Sequence, residues 1–75
     1  MAIYTIKLER EVKQEKLQAV ASQIDALEDK PSGTYELIWE FARTGKAVSY
    51  CNDRVLWLGW QMEKNGVAVN WSKSS

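Results

Sequence analysis

Residues 55–62 read Val-Leu-Trp-Leu-Gly-Trp-Gln-Met, without a single charge. In a chain of 75 residues such a run is either the middle of the core or a surface that another molecule covers. A chain this short forms one domain, and its small core is marginal unless something reinforces it. Cys51 is the lone cysteine and there is no histidine, so an internal disulfide is excluded and a zinc site is disfavoured. Four Trp, three Tyr and one Phe stand in for those staples. Each large ring buries about 150–250 Å².

The N-terminal segment alternates. Tyr4, Ile6, Leu8 and Val12 fall on one side, and Thr5, Lys7, Glu9 and Glu11 on the other. Period two predicts a half-buried strand over residues 2–11. Leu17, Val20, Ala21, Ile24 and Leu27 then recur at helical spacing among good helix formers. This predicts an amphipathic helix over 13–29, closed ahead of Pro31.

The next stretch, Thr34–Ala42, admits two readings. As a helix, Glu36, Glu40 and Arg43 form a narrow polar stripe; as a strand, Leu37, Trp39 and Phe41 share a face. The aromatic and β-branched content favours the strand. A turn at Thr44-Gly45 would then pair Phe41 with Val48 and Trp39 with Tyr50. Asn52-Asp53 reads as a second turn, and Asn65-Gly66 as a type I′ hairpin leading into a last strand over 67–71, with 72–75 as a frayed tail. The predicted architecture is α+β, in the order β-α-β-β-β-β: a single domain with an antiparallel meander and one helix packed on one face.

On that register both faces of the fourth strand are apolar. Val55 and Trp57 face the helix, while Leu56, Leu58, Trp60 and Met62 join Val69 and Trp71 on the other side. Two outcomes are open. A bulge at Gly59 shifts the later residues into the core, or Leu56, Leu58, Trp60, Met62, Val69 and Trp71 form a patch for a partner.

Chemistry is poorly supported. The commonest general base is absent, Cys51 has no base to activate it, and Glu36 and Glu40 suit a solvated face better than an acid–base pair. The four glycines are dispersed, so no phosphate loop exists. No cofactor and no metal is implied. The favoured function is therefore a non-enzymatic protein-interaction module, either a homodimer or an adaptor or inhibitor docked on a larger protein.

The alternative is a single-stranded nucleic-acid binder that uses Arg43, Lys46, Arg54 and Lys64 near the turns, with exposed tryptophans for stacking. Formal net charge is zero, which tells against it. Charge is uneven along the chain: five Lys/Arg and eight Asp/Glu precede residue 41, and five and two follow. The mixed charges of the helix also tell against membrane binding. A lone cysteine and an alternating N-terminus unlike a signal peptide point to the cytoplasm.

Overall fold

The computed structural model describes residues 1–75. Strand β1 (Ile3–Leu8) leads to helix α1 (Gln14–Asp25), helix α2 (Tyr35–Thr44), strand β2 (Lys46–Ser49), helix α3 (Asn52–Lys64) and strand β3 (Val69–Ser74). The three strands form one antiparallel sheet in the order β2-β1-β3. The α+β class and the antiparallel sheet agree with expectation. The single helix and the four-strand meander do not, because two of the expected strands are helices.

The N-terminal third follows its periodicity. Ile6 of β1 is buried, and α1 buries Leu17, Val20, Ala21 and Ile24. The helix stops at Asp25, short of the expected 29. Lys30 is the cause we can name: its Nζ donates to the Asp25 carbonyl at 2.7 Å and to Asp25 Oδ1 at 2.6 Å, neutralising the carbonyl end of α1.

Residues 35–44 are helical because their buried set is Leu37, Ile38, Phe41 and Ala42, a spacing that only a helix turns to one side. Gly45, expected in a hairpin, is instead the left-handed residue that ends α2. Its φ is 77° and its amide donates to the Phe41 carbonyl at 2.7 Å. Strand β2 follows at once.

The run 55–62 lies within α3. Val55, Leu58, Gly59 and Met62 repeat at i, i+3, i+4 and i+7 and are all buried. Asn52-Asp53 opens this helix rather than turning a hairpin. Asn65-Gly66 closes it: Gly66 has φ 81°, its amide reaches the Glu63 carbonyl at 3.0 Å, and the Val67 amide reaches the Met62 carbonyl at 2.9 Å. Those two bonds define a Schellman cap. Val67 and Met62, the pair this cap brings together, are both fully buried.

Helix α3 crosses the sheet nearest its middle strand β1 and packs against β2 and β3 as well. A Cβ placed on Gly59 would stand 3.5 Å from Cγ2 of both Ile6 and Val69. Strand β3 returns to the N-terminus and pairs with β1 along its whole length, from Leu8 opposite Val69 to Ile3 opposite Ser74. Residues 72–74, expected in a loose tail, thus belong to the sheet. All three helices and the sheet share one apolar cluster, which includes Ile6, Phe41, Leu58 and Met62. No helix is long and apolar enough to cross a membrane.

Candidate functional site

With 55–62 helical, the six residues expected on one sheet face separate. Leu58 and Met62 are core, each 0% exposed. Val69 is half-buried under Gly59. The other three reach solvent: Leu56 is 48% exposed, Trp60 60% and Trp71 46%. One stripe of the run is core and the next stripe is surface.

The three exposed side chains lie together because of how α3 meets β3. Asn52, Leu56 and Trp60 stand one turn apart on the helix, and Glu63 continues the row. Both ends of that row touch β3. Asn52 Oδ1 accepts a hydrogen bond from Trp71 Nε1 at 2.9 Å, and Glu63 Oε2 accepts one from the Val69 amide at 3.2 Å. Leu56 and Trp60 sit between these two anchors, so they run beside β3. The Trp71 ring stacks on Tyr4 with centroids 6.2 Å apart, which fixes its plane. Lys64 Nζ lies 4.4 Å from the centre of the Trp60 ring and covers part of it with a cation.

Strand β3 is an edge, and its backbone pattern follows from one bond. The Glu9 amide donates to the Ala68 carbonyl at 3.1 Å. Antiparallel ladders alternate, so Asn70, Ser72 and Ser74 direct their backbone groups at β1 while Val69, Trp71 and Lys73 direct theirs outward. Glu63 occupies the Val69 amide. The amides of Trp71 and Lys73 face solvent. An open hydrogen-bonding edge therefore runs beside the exposed Leu56, Trp60 and Trp71.

The cations considered for nucleic acid do not converge. Arg43 and Lys46 flank Gly45 at the end of α2. Arg54 is in the first turn of α3, where its guanidinium packs on Gly33: a Cβ there would come within 2.6 Å of Arg54 Cζ. Lys64 lies over Trp60 at the far end of α3.

A separate cleft of about 320 Å³ lies between α2, β2 and the start of α3. Glu36 and Glu40 line one wall, one helical turn apart, with Arg54, Ser49 and Tyr50 opposite, and neither glutamate forms an ion pair with Arg54. The helical alternative for 34–42 contained this pairing of glutamates, but nothing in the sequence brought Arg54 to them. Cys51 is a half-buried free thiol beside the same cleft. No three His, Cys, Asp or Glu residues are grouped to hold a metal ion.

One titration is perturbed, away from both places. The hydrogen bond and charge of Lys30 hold the Asp25 carboxyl below its ordinary value of 3.8, while the buried indole N–H of Trp39 has no hydrogen-bond partner. This is a helix-end contact rather than a site. Comparison with protein-family models, with curated proteins and with solved structures finds no match to this chain.

Proposed function

We propose that this chain is a small non-enzymatic protein-interaction module that docks through the α3–β3 edge, with Leu56, Trp60 and Trp71 as its apolar contacts. One observation carries this proposal: Leu56 and Trp60 on α3 and Trp71 on β3 stand exposed beside a strand edge with open backbone groups. Tryptophan is enriched among the few residues that supply most binding energy at protein interfaces. A sheet edge adds directional hydrogen bonds to that apolar contact. Leu58 and Met62 leave the proposed surface and act from beneath it, by fixing α3 on the sheet. We place the protein in the cytoplasm, where the lone Cys51 stays a thiol.

The test is photo-crosslinking in cells that express the chain. A photoreactive residue at position 60 or 71 is expected to trap a discrete protein adduct, either a second copy or another protein. The same residue at the exposed α1 position of Gln23 is expected to trap none. Leu56→Glu should remove the adducts. Equal, diffuse labelling from all three positions would show that the α3–β3 edge is ordinary surface.

A further inference from the structure

We propose that the occupant of this edge is a second copy of the same chain, joined β3 to β3 in antiparallel fashion about a two-fold axis at Trp71. This rests on the interaction-module reading and names its partner. The result is a continuous six-stranded sheet with both α3 helices on one side.

Three features fit a copy. The first is the backbone. Val69, Trp71 and Lys73 point outward, so a two-fold axis at Trp71 sets Trp71 opposite Trp71 and Val69 opposite Lys73, with outward groups facing outward groups except at the Val69 amides, which Glu63 occupies. The two Trp71 residues exchange hydrogen bonds, and each Lys73 amide reaches the Val69 carbonyl of the other copy.

The second is charge. Glu63 Oε2 is held at the Val69 amide, which is where Lys73 of the other copy arrives. The pairing thus sets Glu63 near Lys73 on both sides of the axis. Lysine on an edge strand normally discourages pairing; here it is matched.

The third is the apolar row: Leu56 and Trp60 stand exposed on α3 between its two anchors to β3, beside the edge where the other copy arrives. An interface that took about a tenth of the 4886 Å² surface of each copy would total about 1,000 Å², near the lower limit of a specific interface, so a reversible dimer is expected.

Sedimentation of the full chain from low-micromolar to near-millimolar concentration tests this. The mass is expected to double from 8.6 kDa as concentration rises. Lys73→Pro removes an amide that β1 does not use, on an edge where proline is tolerated, and is expected to leave a monomer with an unchanged melting curve. Glu63→Lys and Lys73→Glu should each weaken the dimer about tenfold, and the two together should restore it. A chain that stays at 8.6 kDa throughout overturns the proposal, as does a dimer indifferent to Lys73→Pro and to the charge reversals. Monomeric behaviour together with a foreign adduct at position 60 overturns only the choice of partner. Monomeric behaviour with no specific adduct overturns the interaction module as well.

Discussion

Helices α1 and α3 solve the same folding problem with the same spacing. In α1 the buried row is Leu17, Val20, Ala21 and Ile24; in α3 it is Val55, Leu58, Gly59 and Met62. The rows are superimposable in sequence, and each closes over the shared apolar cluster. The outer faces differ. Helix α1 shows Gln18, Ser22 and Gln23 to solvent, whereas α3 shows Leu56 and Trp60. Folding needs only the inner row, so α1 demonstrates what an outer face looks like when nothing further is asked of it. The aromatic outer face of α3 exceeds what the fold requires, and a partner is the reason we assign to it.

Substitutions can sharpen that contrast. The largest expected effect belongs to the inner row of α3. Leu58→Ala removes a side chain with no exposure and should cost about 2–5 kcal/mol in urea unfolding, enough to threaten a domain of this size. Trp60→Arg, two residues on and on the opposite side of the helix, should stay within about 0.5 kcal/mol when measured on the monomer, because surface changes away from packing rarely do more. A similar cost at both positions would erase the distinction between the rows.

The end of α3 gives the next largest effect. Gly66→Ala forces a side chain into a backbone with φ 81° and should cost about 1–2 kcal/mol. No loss would mean that the Schellman cap does not form.

Gly59 is the one place where the inner rows differ in kind, since α1 carries Ala21 at the matching position. A Cβ on Gly59 would meet Ile6 and Val69 at ordinary contact distance, 3.5 Å. Gly59→Ala should therefore stabilise the protein, by up to about 1 kcal/mol from helix propensity alone. Destabilisation would indicate that α3 and the sheet approach more closely.

The smallest effect lies at the end of α1. Lys30→Met should return the Asp25 carboxyl toward its ordinary value of 3.8, followed by NMR titration. The depressed carboxyl contributes stability that is present above the unfolded value and is lost as pH falls through the lower folded value. The variant should therefore lose part of its acid sensitivity in that window and be unchanged relative to itself between neutral pH and pH 6. An unmoved Asp25 titration would remove Lys30 as the cause.

The first strand and helix were legible because their periodicities have no rival: Tyr4, Ile6 and Leu8 alternate, and Leu17 to Ile24 step at 3.6. The strand expected after Gly45 is present as β2, whereas residues 34–44 and 52–66 misled for physical reasons. Leu37, Ile38, Trp39 and Phe41 are β-branched or large, residues that pair well in strands, and only packing against the rest of the core makes them helical. Glycines 45 and 66 do have positive φ, as expected of turn residues, but the same left-handed backbone serves a helix cap and a hairpin. Val55, Leu58, Gly59 and Met62 stand at helical spacing, but with turns expected at Asn52-Asp53 and Asn65-Gly66 the run between them reads as a strand. Of the candidate surface, Leu56, Trp60 and Trp71 were named for the wrong geometry. Their grouping comes from the bonds of Asn52 and Glu63 to β3, which no local pattern announces.

The most direct measurement is urea unfolding of the double variant Leu56→Gln, Trp60→Gln at a concentration dilute enough for the chain to be monomeric, so that association adds nothing to stability. If the outer row of α3 serves a partner, the midpoint and slope should match those of the unaltered chain, with any loss under about 1 kcal/mol. A loss of more than about 2 kcal/mol would make these side chains part of what holds the domain together and leave no surplus to explain.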